Sequence, residues 1–307
     1  MKNNLDIVVI GTIIKETIQF PNRTIGPVLG SPAAYSSLVM AAQGRDVGLV
    51  TYYGNDMDDV YKETNVLDRR NVMPYDYSTT NLLVYREDGT KYVEYQKSAP
   101  HIKFADICEE YLEQEYFKIC PMNYEVELEV VEKLYGMGKI VFVDLGGYGG
   151  ATSDIRHSVE EEYGKHVIGT LCRNTTIIKA SEEDLESIIP GKTPEEAVDY
   201  LVKEGAQNVV VTLGSKGVMY KEKDKEIEYI APFTAVSEIE DGSLDFTGAG
   251  DSFGAGFMAS YVKEQNIPKA ALNGNATASL VIQRSGGCTF DRMPSKEKVE
   301  KRRAKEI

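Results

Sequence analysis

The chain has 307 residues, of which 42% are hydrophobic and 27% charged, and it carries a formal net charge of −14 at pH 7. An acidic balance of this size disfavours nucleic acid as a partner, because phosphate contacts need clustered Lys and Arg. No apolar run approaches the ~20 residues of a membrane helix, and the scattered cysteines (Cys108, Cys120, Cys172, Cys288) and histidines (His101, His157, His166) lack the spacing of a disulfide framework or a structural zinc site.

The start, Met1 to Asp6, has no secretory h-region and reads as cytoplasmic. Ile7-Val8-Val9-Ile10, ahead of Gly11, is a short, continuous β-branched run of the kind expected in a central strand covered on both faces. Thr17–Phe20 and Thr24–Val28 are further strand candidates, and Pro32 to Gln43, rich in Ala, Leu and Met, reads as a helix. Val47–Thr51 resumes the buried-strand pattern. Thr79 to Gln96 then alternates around Asp88-Gly89, a strong hairpin signal, with the Thr17–Val28 region as its nearby partner. Ile140–Val143, Thr176–Ile178 and Val209–Leu213 return to buried strands. Helices are expected over Val126–Gly136, Ser181–Ile189 and Pro194–Gly205, the last with Thr193 as N-cap and Pro194 at N1. The tail from Lys296 to Lys305, basic but interleaved with Glu, reads as a solvated helix end.

This alternation predicts an α/β fold with a doubly wound, mostly parallel sheet flanked by helices and a small antiparallel β lid. One domain over residues 1–307 is expected, with the lid formed by excursions at about 12–29 and 78–98. Apolar alternation in the lid strands makes a homodimer through that surface reasonable.

The chemistry concentrates between Leu244 and Tyr261. The Gly-rich turn Thr247-Gly248-Ala249-Gly250 runs into Asp251 and a helical stretch carrying Phe253, Phe257, Met258 and Tyr261. Glycines let the backbone approach a ligand, and the first amides of a helix lack intrahelical partners and sit at its positive end. Such a turn can hold a transferring phosphoryl group, and Asp251 can accept the proton of an attacking hydroxyl. A tight turn with Asp251 as a mere cap explains the same residues, and on this string alone both readings stay open. Gly254 and Gly256 add that the backbone packs closely beneath the turn.

The string Leu244-Asp245-Phe246-Thr247-Gly248-Ala249-Gly250-Asp251-Ser252-Phe253 closely resembles the D-T-x-G-A-G-D-x-F signature of the PfkB/ribokinase family of sugar and nucleoside kinases. Val211-Thr212-Leu213-Gly214-Ser215-Lys216-Gly217 is similar to that family's nucleotide-binding turn, and Lys179-Ala180-Ser181-Glu182-Glu183-Asp184 aligns with its N-x-x-E region. Gly30-Ser31-Pro32-Ala33-Ala34-Tyr35 aligns with its N-terminal G-G segment, and Asn275 to Gly287 with its last helix beside the adenine.

The resemblance implies an ATP- and Mg²⁺-dependent kinase in which Asp251 activates the acceptor hydroxyl and the amides of Gly248, Ala249 and Gly250 form an anion hole. It implies nucleotide contacts at Thr212, Gly214, Ser215, Gly217, Thr247 and Asn275, and acceptor contacts at Glu16, Gly30, Ser31 and Tyr35. Asp184 and Glu183 are the implied Mg²⁺ residues, and Asp245 is where related kinases organise a monovalent cation such as K⁺.

Four positions depart from the family pattern. Ser181 and Asp184 replace the Asn and Glu of N-x-x-E, and a helix cap with an acidic first turn explains them equally well. Glu16 stands where a diol-gripping acid is expected, with an exposed strand-end glutamate as the alternative. Tyr35 replaces a hydroxyl-binding Asn and either stacks on the acceptor or packs in the core. Asp144-Leu145-Gly146-Gly147-Tyr148-Gly149-Gly150 lacks the expected basic residue, which Arg173 or Lys179 could supply. The same run fails as a dinucleotide fingerprint because Thr152 stands where glycine or alanine is needed.

These departures resemble an inositol-kinase-like or nucleoside-kinase-like branch more than ribokinase itself. The leading expectation is phosphoryl transfer to a hydroxyl of a small sugar or polyol. A nucleoside kinase, or a catalytically weak sugar- or nucleotide-binding regulatory protein on the same fold, is the alternative.

Overall fold

The computed structural model describes residues 4–87, 91–153, 160–233 and 244–304, so the expected Asp88-Gly89 turn lies outside the described residues. Its strands in chain order are β1 (Ile7–Ile10), β2 (Ile14–Phe20), β3 (Arg23–Gly30), β4 (Val47–Tyr53), β5 (Asp68–Pro74), β6 (Thr79–Tyr85), β7 (Lys91–Lys97), β8 (Tyr116–Ile119), β9 (Ile140–Asp144), β10 (Ile177–Ser181), β11 (Asn208–Thr212), β12 (Val218–Glu222) and β13 (Glu228–Ile230). The helices are α1 (Pro32–Ala42), the single turns α2 (Asp58–Tyr61) and α3 (Glu109–Leu112), then α4 (Leu128–Gly136), α5 (Glu161–Arg173), α6 (Glu182–Ile188), α7 (Pro194–Lys203), α8 (Ala249–Glu264), α9 (Ile267–Val281) and α10 (Lys296–Ala304).

The main sheet has nine strands in the order β13-β12-β11-β10-β9-β8-β1-β4-β5. Neighbours from β11 to β5 are parallel, and β12 and β13 extend one edge in antiparallel fashion. Successive strand residues point to opposite faces, and the core divides accordingly. Ile7, Val9, Val47, Leu49, Phe142 and Val210 pack with Leu38 of α1, Phe253 and Phe257 of α8 and Ala270 of α9. Val8, Ile10, Val141, Val143, Val209 and Val211 pack with Val131 of α4, Leu171 of α5, Leu185 of α6 and Leu201 of α7. Both faces are therefore dry, which is why these strands read as unbroken apolar runs.

The lid is a separate four-stranded sheet, β3-β2-β6-β7. Its two hairpin pairs, β2–β3 and β6–β7, are antiparallel, and a parallel pairing from Ile14↔Thr79 to Gln19↔Val84 joins them.

Two boundaries follow from capping. Ser181 is the N-cap of α6 rather than its first helical residue, with its hydroxyl accepting from the Asp184 amide and the Asp184 carboxylate accepting from the Ser181 amide. Thr193 and Glu196 close the same reciprocal box at α7, with Pro194 at N1 as expected. The basic tail is the exposed helix α10, with Lys296–Glu300 and Lys301–Glu297 pairs one turn apart. No helix among the described residues is long and apolar enough to cross a membrane.

Candidate active site

In an open parallel sheet, ligands collect beyond the carboxyl ends of the strands. Here Asp144, Ser181 and Thr212 end β9, β10 and β11 and line one cleft of about 1270 Å³. The lid contributes Glu16, Leu83, Tyr85 and Val93, and the start of α8 contributes Gly248, Ala249, Gly250 and Asp251.

The signature turn is built by its own acid. A carboxylate oxygen of Asp245 accepts from the Thr247 amide at 2.9 Å, and the Ala249 amide donates to the Phe246 carbonyl at 3.1 Å. Gly248 then caps α8 in the left-handed conformation, at φ 75°. A Cβ there would also sit 2.4 Å from the Tyr35 ring, so the position excludes side chains twice over. One expectation needs correcting. The Ala249 amide is used inside the turn, which leaves the amides of Gly248 and Gly250 as the candidate anion-hole donors.

Tyr35 packs in the core and also lines the cleft. It is buried, its ring lies against Gly248, and its hydroxyl accepts from Arg292 at 2.8 Å. It therefore does not offer the acceptor the amide that the family's Asn would. Gly30 and Ser31 have similar structural duties. A Cβ on Gly30 would come 2.7 Å from Glu16 Oε2, and Ser31 caps α1 by accepting from the Ala34 amide.

Glu16 is not an exposed strand end. It is 5% exposed, and its Oε1 accepts from the Asn81 side chain at 3.2 Å. Burial pushes its carboxyl up to about 7. The Asn81 hydrogen bond opposes that shift, and the nearby negative charges of Asp251 and Asp245 reinforce it. A buried acid held near neutrality beside a second acid marks a working site more often than a structural one.

The missing basic residue is Lys179, whose role the sequence left undecided against Arg173. Lys179 is buried, and its ammonium bonds Asp144 Oδ1 at 3.2 Å and pairs with Oδ2 at 3.0 Å. Burial alone would lower its pKa, but Asp144, Asp184 and Asp251 together outweigh that effect and hold it above the ordinary lysine value. The ammonium also lies 3.3 Å from where a Cβ on Gly250 would be, at the rim of the turn. Arg173 instead lies between Gly169 and Gly205, away from the cleft lining.

Thr212, Gly214, Ser215, Gly217 and Asn275, expected to meet the nucleotide, all line the cleft. Gly217, at φ 97°, follows a 3-10 turn and packs against β13, where a Cβ would fall 2.2 Å from the Ile230 carbonyl. Asn275 is fixed by donating to the Ala231 carbonyl.

Asp184 is buried, and its two oxygens accept from the amides of Ala151 and Ser181, at 2.8 and 2.7 Å. The capping alternative thus holds for Ser181 and Asp184, although both still face the cleft beside the exposed Glu183. No group of three or more His, Cys, Asp or Glu among the described residues is placed to hold a metal alone. The glycine-rich loop after β9 holds no dinucleotide turn. Gly147 presses on Pro121, where a Cβ would meet the backbone at 2.2 Å, and Gly150 makes room for Asp184.

Residues 150–294, which span Lys179, Asp184, the signature turn and Arg292, match the pfkB family carbohydrate kinase model. Over those residues the chain resembles the PfkB family. It is 28% identical to the cytidine kinase of Thermococcus kodakarensis over 92% of this chain and 98% of that protein. It is 34% identical to the nucleoside kinase of Methanocaldococcus jannaschii over 46% of this chain and 43% of that one. In fold it is similar to a Vibrio cholerae fructokinase double mutant bound to fructose, ADP and potassium ion. The TM-score is 0.79, with 17% identity over 98% and 99% of the two chains. PfkB members are phosphotransferases with hydroxyl acceptors, and the chain is an enzyme of that kind.

Proposed function

We propose that this PfkB kinase transfers the γ-phosphoryl group of ATP to a ribose hydroxyl of a nucleoside, with Asp251 as general base. The observation that carries the reading is the chemistry of the acceptor half of the cleft. Leu83, Tyr85 and Val93 of the lid and Pro121 and Met122 beside β8 give it an apolar wall, while Glu16 and Asp251 give it two acids. A molecule with one flat apolar part and one diol matches that wall and those acids better than a polyol with hydroxyls on every face. The similarity to a cytidine kinase over nearly the whole chain supports the same choice.

Phosphoryl transfer requires positioning and charge neutralisation more than covalent help. In the proposed step the acceptor hydroxyl gives its proton to the Asp251 carboxylate as its oxygen attacks the γ-phosphorus. The bond to the β–γ bridging oxygen breaks, and ADP leaves with that electron pair. The amides of Gly248 and Gly250 at the positive end of α8, with the Lys179 ammonium at the rim of the turn, stabilise the charge on the transferring group. Mg²⁺ on the ATP phosphates would supply further neutralisation, and the cleft-lining Asp184 and Glu183 would meet its water shell.

Glu16, held by Asn81 at the cleft wall, favours a second reading, a small sugar or polyol acceptor, because its carboxyl can grip a vicinal diol without any base. ADP release across nucleosides, hexoses and inositols separates the two. A hexose or inositol turned over with a higher kcat/KM than every nucleoside would end the nucleoside reading. Asp251→Asn is expected to lower kcat by about 100-fold or more with ATP affinity retained, and a variant keeping above about a tenth of wild-type kcat would remove the base assignment.

A further inference from the structure

The Phe290–Arg292 turn lies beyond α9, inside the matched residues 150–294 but outside the short sequence motifs that resemble the family. Arg292 is 4% exposed, and its guanidinium reaches back beneath the signature turn. Nε donates to the Arg284 carbonyl at 2.6 Å, and Nη1 donates to the Gly287 carbonyl at 2.6 Å and the Tyr35 hydroxyl at 2.8 Å. Nη2 approaches the carbonyls of Val281 at 3.3 Å and Thr247 at 3.4 Å. Four of these five oxygens are main-chain carbonyls, and none is a carboxylate.

The carbonyls belong to two segments: the signature turn, and the end of α9 with the loop after it. Asp245 joins the same two segments, since its carboxylate holds the Thr247 amide and its own amide donates to the Ile282 carbonyl. The end of a helix carries partial negative charge, and a buried carboxylate adds more. Such a ring of inward carbonyls is how proteins replace the hydration shell of K⁺. Here a guanidinium, with five donors in a rigid fork, meets those oxygens instead.

We propose that Arg292 is a built-in substitute for a monovalent cation, tying the anion-hole turn to the end of α9, and that this kinase needs neither K⁺ nor Na⁺. The expectation of a cation at Asp245 does not fit the structure. Asp245 Oδ2 is buried without a hydrogen bond, but the carbonyls that a cation would share with it are already bonded to Arg292. Arg292 acts as a positioning residue, through Thr247 and Tyr35, on the turn that holds the phosphoryl group.

The inference rests on the kinase reading only for its activity readout, so unfolding and ATP affinity are measured beside turnover. Wild-type protein is compared in KCl, NaCl and choline chloride at equal ionic strength. All three readouts are expected to agree within about twofold, because the charge is already covalently present. Stimulation or tightening by K⁺ of about tenfold or more in the wild type overturns the proposal. Arg292→Ala is expected to unfold at lower temperature and to regain stability or turnover with K⁺ or guanidinium ion. Arg292→Lys, which keeps the charge without the fork, is expected to fall between. A folded Arg292→Ala protein that resembles wild type in choline, or responds to neither ion, also overturns it. Should Arg292→Ala fail to fold, the wild-type comparison decides alone. Failure of the nucleoside reading would leave the unfolding and ATP-binding arms intact.

Discussion

Replacing Glu16 by Gln tests whether the acceptor acid is held protonated by its surroundings. Gln keeps an oxygen to accept from Asn81 and nearly the same volume beside Gly30, so the change is mainly one of charge. In the folded protein the Glu16 carboxyl stands at about 7 against an ordinary 4.5. Folding therefore favours the protonated form. The stability tied to that preference is fully present below pH 4.5 and is lost as pH rises through 7. At 1.36 kcal/mol per pH unit, the gap corresponds to about 3 kcal/mol. Below pH 4.5 wild type and Glu16→Gln should have equal stability in urea unfolding. By pH 8.5 the variant should be the more stable by about 3 kcal/mol, because it escapes the cost of ionising a buried acid near Asp251 and Asp245. A difference that stays constant across this range would refute the reasoning, and so would a variant that is less stable at high pH. Turnover should move oppositely above pH 7, where Glu16 is ionised: kcat/KM for the acceptor should fall in the variant, since the amide lacks the carboxylate's second acceptor oxygen.

Three further outcomes are expected. Lys179→Met strands the buried Asp144 carboxylate and should cost about 3–5 kcal/mol in unfolding. Adding Asp144→Leu should recover much of that loss while ADP release stays low, since the positive charge at the turn is not restored. Tyr85→Phe removes the 2.9 Å hydrogen bond between the lid and Thr247; loss of about 1 kcal/mol there should raise the acceptor KM about fivefold, with the unfolding temperature nearly unchanged. Gly217→Ala places a Cβ against the Ile230 carbonyl at an unfavourable φ and should weaken ATP binding and destabilise by about 1–3 kcal/mol, read by calorimetry and thermal unfolding.

What the sequence makes legible follows from physical signal strength. β1, β4, β9, β10 and β11 are buried on both faces, so their composition alone betrays them. β5 and β13 lie at the sheet edges, carry Arg69, Arg70 and Glu228, and give no comparable run. The caps at Thr193 and Ser181 are local chemistry, readable from four residues. Long-range polar contacts are not. Lys179 sits inside a recognisable motif, but its partner Asp144 is a different strand's end. Arg292 resembles any surface arginine until the chain brings it under Tyr35 and Thr247. Lys118 in β8 is likewise wholly buried, its ammonium 4.8 Å from the centre of the Phe142 ring and 3.2 Å from the Cys120 sulfur. A lysine within an apolar run points outward by pattern, and only packing reverses it.

Two of the contacts that fasten the lid to the rest of the molecule converge near Arg292. Tyr85 meets the signature turn at Thr247. Leu29, at the end of β3, accepts from the Cys288 amide, and Gly287 next to it is pressed against Val28. Arg292 holds both Thr247 and Gly287 through their carbonyls. The lid, the signature turn and the loop after α9 are thus one mechanical linkage. Ligands at its two ends should bind synergistically: occupancy of the acceptor slot should tighten the nucleotide, and nucleotide should tighten the acceptor by the same factor.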